Sequence, residues 1–267
     1  MKLLVFDLDG TLLEKDGTLS LETLQMLKKL EEKSVKSTVA TGRSLKSASR
    51  FIERLVSKVP VILFNGARIF DPVTGRYLYS ETLQDSLAQK VGHLCQRSDV
   101  SIFFFIDEDV YVLNLTSHAA RYVYRDGLSY HLVENIDFLN HKRVTKIVLT
   151  GPSFELTDIE NVLKLQHRIH ASITRSEEDL LEILPFGVNK AEALRRLCKF
   201  LNIDLKEVVA FGNGENDLEM IKIAGTGVTF NDAPDVVKKQ AKVILQNCGH
   251  LGLQEFFEKF FTKGVTL

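Results

Sequence analysis

The sequence predicts an α/β protein: a parallel-sheet core made from two chain segments, with an α+β module inserted between them. Short apolar runs alternate with amphipathic helices over the first 80 residues and again after Pro185. Between those stretches the order changes to helix then hairpin, seen twice. Polar clusters follow three of the apolar runs, where open parallel sheets bind their ligands.

The run Leu3–Phe6 reads as a strand that ends on Asp7 and Asp9. Ser20 reads as the N-cap of a helix carrying Leu24, Leu27 and Leu30. "KSTVATGR" (36–43) holds a second strand, "SLKSASRFIERLV" (44–56) a helix, and "VILFNGA" (61–67) a third strand. Leu83, Leu87, Val91 and Leu94 then mark an amphipathic helix. "SIFFFIDEDVYVLNL" (101–115) reads as a hairpin turning at Asp107–Asp109, with Phe103 to Phe105 in a sheet core. Leu156, Ile159 and Leu163 mark another helix, and "ASITRSEEDLLEIL" (171–184) another hairpin. The repeated order suggests an internal pseudo-repeat. After Pro185, Leu194, Leu197, Cys198 and Leu201 have the spacing of a buried helix face. "VVAFGNGEND" (208–217) is a strand entering a loop, "LEMIKIA" a helix, and "GVTF" and "KVIL" later strands. The expected division is 1–82 plus 188–267 for the core and 83–187 for the insertion.

Composition narrows the function classes. At 267 residues, 45% hydrophobic and 26% charged, the chain has the make-up of a soluble globular protein. A net charge of −1 gives no bulk electrostatic case for nucleic acid or an anionic membrane. Cys95, Cys198 and Cys248 are scattered and never in a CxxC, which argues for a reducing compartment and against a zinc site. No apolar run approaches a membrane span, and Asp7 and Asp9 interrupt the apolar stretch a signal peptide would need. The expectation is a cytoplasmic protein, a monomer or weak homodimer.

The chemistry sits in four clusters. On an extended chain Asp7 and Asp9, two apart, point to one side. Two neighbouring carboxylates repel unless a cation lies between them or one keeps a proton. A plain turn at Asp9-Gly10 is the bland alternative. Thr41-Gly42 offers a hydroxyl and an uncrowded N–H after the second strand; a strand-end turn explains it equally alone. "GNGEND" offers amides and an acid on a glycine-loosened loop, or only a helix N-cap at Asn216. Lys190, in a helix's first turn, opposes the helix dipole; alone it reads as a solvated lysine. A lysine held there would meet an anion drawn to the helix N-terminus.

Together these parts resemble the haloacid dehalogenase (HAD) superfamily, in particular its Cof-type sugar-phosphatase branch. "FDLDGTLL" matches the family's first motif, "ATGR" the second, Lys190 the third and "GNGENDLEM" the fourth. The insertion matches the place and style of that branch's C2B-type cap on a Rossmann-like core. The resemblance implies a phosphatase acting on small phosphorylated metabolites. Asp7 would be the nucleophile and Asp9 the general acid and base. Mg²⁺ would be held at Asp7, Asp9, Asn213 and Asp217. Leu8, Thr41, Gly42, Arg43, Lys190 and Asn216 would hold the phosphate.

One position departs from the pattern: the fourth motif usually begins Gly-Asp, and here reads Gly212-Asn213. An amide oxygen ligates a metal without adding negative charge. Asn65-Gly66-Ala67 lines the leaving-group side or is a plain turn. His167 and His170 have i, i+3 spacing but no third ligand. A phosphomutase would use the same aspartates. A receiver-like phosphoacceptor would also use Asp, Thr and Lys, but not an acid two residues after the first. Sugar phosphates, pyridoxal phosphate and flavin mononucleotide all suit the branch.

Overall fold

The computed structural model describes residues 1–55, 58–96, 99–165 and 170–262. Val56, at the end of the expected second helix, and His167 lie outside them. The chain forms two compact units. One comprises Met1–Gly42, Ala48–Tyr79 and Asn189–Leu267; the other comprises Arg43–Ser47 and Ser80–Val188.

The chain opens with β1 (Leu3–Phe6), α1 (Leu21–Glu32), β2 (Lys36–Val39), α2 (Leu45–Ile52), β3 (Val61–Leu63), β4 (Arg68–Asp71) and β5 (Arg76–Ser80). Ser20 caps α1, its side chain accepting the Thr23 N–H at 3.1 Å. The middle of the chain supplies α3 (Asp85–Cys95), β6 (Ser101–Ile106), β7 (Asp109–Leu113), α4 (Ala119–Asp126), β8 (His131–Leu132) and β9 (Val144–Thr150). It continues with α5 (Ser153–Leu165), β10 (Ala171–Glu177) and β11 (Leu180–Pro185). The last stretch holds α6 (Lys190–Leu201), β12 (Val208–Phe211), α7 (Leu218–Ile223), β13 (Thr226–Phe230), α8 (Asp235–Lys238), β14 (Val243–Leu245) and α9 (Gly249–Phe257).

The first unit is built on a parallel sheet in the order β14-β13-β12-β1-β2. Its central strands β1 and β12 are fully buried apolar runs, and β13 is buried throughout, as a sheet covered on both faces requires; the edge strands β2 and β14 are partly exposed. Leu3 and Val5 pack with Leu194, Leu197 and Cys198 of α6, while Phe6 stacks on Phe211 at 4.5 Å. The expected third strand differs from its neighbours. β3 joins this sheet through one bridge, Ala40 to Ile62, and then heads an antiparallel meander β3-β4-β5. The meander turns at "DPVTG", where the Asp71 carboxylate accepts from the Val73 N–H and the Thr74 hydroxyl.

The second unit is a six-stranded sheet in the order β10-β11-β9-β6-β7-β8. Both expected hairpins form, and they flank β9. Phe103, Phe104 and Phe105 are buried, as expected for a sheet core. Leu87, Val91, Leu156, Ile159 and Leu163 of α3 and α5 pack onto one face with Ile102, Phe104, Ile147, Leu149, Leu181 and Ile183. Leu94, expected on the same stripe as Leu87 and Val91, is more than a third exposed; Cys95 takes the buried position instead. Among the described residues no helix is long and apolar enough to cross a membrane.

Candidate active site

Parallel pairing brings the clusters together. β12, β1 and β2 are neighbours in register, with Phe6 opposite both Phe211 and Val39. Their carboxyl ends therefore deliver Asp7, Thr41 and the 212–217 loop to one edge of the sheet. The Asp7 N–H donates to the Phe211 carbonyl at 2.9 Å, extending the ladder one step beyond the strand.

The chain does not remain extended through Asp9. It turns at Asp9-Gly10, whose φ/ψ of −76°, 120° and 71°, 8° are those of a tight type II turn and not of a helix, and the Leu12 N–H on the Asp7 carbonyl and the Leu13 N–H on the Leu8 carbonyl close the loop. The turn that Asp9-Gly10 suggests is therefore present, and strand alternation is not what relates the two aspartates. Asp7 is buried and Asp9 exposed. Leu8 is buried.

Lys190 is not solvated: its side chain is fully buried. Asn189 caps α6 by accepting the Glu192 N–H at 2.8 Å, and this sets Lys190 at the first helical position. The ammonium donates to Asp7 Oδ1 and to Asp217 Oδ1, each at 2.7 Å. Burial pulls the lysine down; Asp217 and Asp7 outweigh it and hold the group charged, above the ordinary lysine range. Burial, together with Asp217 and Asp9, pushes the Asp7 carboxyl up to about 7 against the pull of Lys190. One ammonium is thus shared by two carboxylates, and a third, Asp9, acts on Asp7.

Asp217 is also committed on its other oxygen. Oδ2 accepts the N–H groups of Asn213 and Gly214, both at 3.0 Å. The carboxylate lies so close to Gly212 that a Cβ there would come within 2.4 Å of the Asp217 side chain. The loop is therefore wrapped around Asp217, and glycine is what lets it close. Asn216 does not act as the helix cap; Gly214 and Asp217 open that turn. Its side-chain amide instead donates to Asn65 Oδ1 at 3.1 Å. The Asn213 amide oxygen accepts from the Thr11 hydroxyl at 3.1 Å, tying the fourth motif to the first. Thr11 was not among the expected site residues. A hydroxyl after "DLDG" carries no signal of a partner 202 residues away.

Thr41 is buried and Gly42 partly so, both in the first unit. Arg43 groups with the second unit, where its guanidinium donates to Ser47 Oγ at 3.2 Å and Ser47 Oγ to the Asp126 carbonyl at 2.6 Å. Among the described residues no group of three or more His, Cys, Asp or Glu side chains is placed to hold a metal ion. A cation at Asp7 would thus have to draw on an amide or main-chain oxygen as well. Mg²⁺ accepts such a sparse set, because it takes one or two carboxylates and keeps waters.

A parallel sheet carrying this lysine-bridged aspartate pair at its carboxyl edge defines the class. The chain belongs to the haloacid dehalogenase-like hydrolase family, whose profile matches residues 4–256. It is 32% identical over 250 residues to an HMP-PP phosphatase of Serratia proteamaculans (strain 568), covering 93% of this chain and 90% of that one. A haloacid dehalogenase-like hydrolase from Bacteroides thetaiotaomicron has the same fold, with a TM-score of 0.88 at 26% identity over 97% of this chain and 99% of that one. A HAD subclass IIB sugar phosphatase is similar at a TM-score of 0.85 and 21% identity, over 97% of this chain and 99% of that one.

Proposed function

We propose that this protein is a Mg²⁺-dependent phosphatase of small phosphorylated metabolites, working through an aspartyl-phosphate on Asp7. The observation that carries the reading is the buried Lys190 ammonium shared between Asp7 and Asp217. It supplies a fixed positive charge beside a carboxylate at a strand end, where a phosphate would enter.

Asp7 attacks phosphorus through a carboxylate oxygen, and the P–O bond to the leaving group breaks. Asp9, the exposed acid, gives its proton to the departing oxygen. Asp9 then takes a proton from water as that water attacks phosphorus. The acyl-phosphate bond opens, inorganic phosphate leaves, and Asp7 is regenerated. Thr41, the Gly42 N–H, Lys190 and Asn216 hold the phosphoryl oxygens, with Leu8 beside them, where charge develops in transfer. Asp217 is read as the residue that orients Lys190 and the 212–217 loop. Asp7, the Asp9 carbonyl and Asn213 are the groups read as holding Mg²⁺. The ion would neutralise the excess of carboxylates and polarise the phosphoryl group. Residues 83–187 are read as a cap over the substrate. The reading places the protein in the cytoplasm.

The name of the Serratia relative makes HMP-PP the first compound to assay, with sugar phosphates beside it. The test is phosphate release from a panel of phosphometabolites with Mg²⁺, using Asp7→Asn as the blank. Release by the native protein and none by the variant is expected; equal release by both would refute Asp7 as nucleophile. Isotopic oxygen from water must appear in the released phosphate, and its absence would indicate a mutase.

A further inference from the structure

After β3 the backbone enters the left-handed region three times in succession, at Phe64 (φ 51°), Asn65 (φ 52°) and Gly66 (φ 107°). Only the glycine does so without cost, and Phe64, a bulky side chain, is an outlier there. Such a run persists only where its surroundings over-determine it, and it gathers at working sites. Phe64 is fully buried and lies beneath the Arg68 guanidinium, which also covers the Tyr77 ring. The meander β3-β4-β5 therefore anchors the turn.

The strained turn touches three of the site's loops. The Asn65 N–H donates to the Thr41 carbonyl at 2.9 Å. Its side chain lies flush on Gly42, where a Cβ would stand 3.2 Å from both amide atoms. Asn65 Oδ1 accepts from the Asn216 side chain at 3.1 Å. Gly66 runs so close to the start of α6 that a Cβ would meet the Asn189 carbonyl at 2.4 Å. Thr41-Gly42, Asn216 and the Asn189-Lys190 step are thus all gauged against one turn, and Asn65 is 4% exposed at its centre.

We infer that Asn65 is a positioning residue for phosphoryl transfer, its amide holding Asn216 against the Thr41-Gly42 loop so that their donors address the same phosphate. It touches no reacting atom; it acts through Asn216. The inference rests on the phosphatase reading above and deepens it.

Asn65→Gly tests this without disturbing the backbone, because glycine accepts φ 52° more readily than asparagine. The variant should melt within about two degrees of the native protein while kcat on p-nitrophenyl phosphate falls about 10- to 30-fold. The ratio of kcat/KM between two different phosphate esters should stay within about twofold, since the leaving group is not what Asn65 addresses. Asn216→Ala, which removes the phosphate donor as well as the contact, should lose at least as much. The double variant should be no more than about twofold worse than Asn216→Ala alone, because Asn65 acts only through Asn216. A kcat within twofold of native, or fully additive losses, would overturn the inference. If the native protein releases no phosphate, the phosphatase reading falls instead. The positioning role is then read from the rise in melting temperature with inorganic phosphate, which Asn65→Gly must diminish; an undiminished rise overturns it.

Discussion

The molecule buries a lysine–carboxylate contact in each of its two units, and the two are built to opposite ends. In the second unit Lys146 of β9 donates to Glu182 of β11 at 2.7 Å, with side chains 3% and 8% exposed. The two lie on adjoining strands, with the Phe105 ring beside the ammonium at 5.5 Å. In the first unit Lys190 meets both Asp7 and Asp217, with Asp9 acting on Asp7 as well. The first contact lies mid-strand and joins one ammonium to one carboxylate; the second lies at strand ends, where two carboxylates share one ammonium. A balanced buried pair costs about as much to desolvate as it returns in attraction. At the second, burial first, and then Asp217 and Asp9, hold the Asp7 carboxyl at about 7. The contrast teaches that burial of charge alone does not mark a working site; unmatched charge where a sheet opens does.

Removing the lysines separates the two most strongly. Lys190→Met should cut turnover by about 10²–10³-fold, the scale of losing one electrostatic donor. Lys146→Met should register first in stability, by about 3–5 kcal/mol, because the buried Glu182 carboxylate loses the ammonium that donates to it. Adding Glu182→Leu to Lys146→Met should restore most of the urea midpoint. Failure of that rescue would mean that the loss does not come from the stranded Glu182 charge.

The Asn213 position sharpens the contrast next. Asn213→Asp adds a fourth carboxylate to the core cluster. It should lower the Mg²⁺ concentration for half-maximal activity by about tenfold, or about 1–2 kcal/mol after screening by metal-bound water. Superimposable magnesium titrations would leave Asn213 only its bond to Thr11.

The smallest effect is on pH. Asp7 is raised above an unfolded aspartate, from 3.8 to about 7. Between those values the metal-free fold binds more protons than the unfolded chain. Its stability should therefore fall as pH rises from 4 to 7 and level off above. A cation must displace that proton, so apparent Mg²⁺ affinity, measured calorimetrically, should weaken by up to about tenfold per unit below pH 7 and flatten above. Affinity that is level from pH 5.5 to 8 would contradict the raised carboxyl. Asp7→Asn should abolish both slopes.

What the sequence disclosed follows the range of the interactions. The strands β1–β3 and β12–β14, the Ser20 cap and both hairpins rest on local pattern, and they were legible; β4, β5, β8 and the β9 strand between the hairpins were not read. So was the convergence of Asp7, Thr41 and the 213–217 loop, because parallel strands share an end. The burial of Lys190 was not, since a lysine at a helix's first position looks solvated until Asp7 and Asp217 are folded against it. Asn65 was visible as a turn or as a lining of the leaving-group side and not as a link between loops, because its bonds run to Thr41 and Asn216, 24 and 151 residues away. The "DPVTG" turn between β4 and β5 carries the usual turn residues. The turn after β1 was legible in Asp9-Gly10, while the Leu12 and Leu13 N–H bonds that close it back on Asp7 and Leu8 were not.

The central claim is that the unbalanced core cluster makes Asp7 a nucleophile. The most direct measurement is intact and peptide mass spectrometry of the Asp9→Asn variant, quenched in acid after mixing with an activated phosphate ester and Mg²⁺. A single phosphoryl group on the peptide containing Asp7, absent when Asp7→Asn is added, is the predicted result. Turnover by the native protein with no phosphoryl group ever trapped on that peptide, or one trapped on a different residue, would contradict the account.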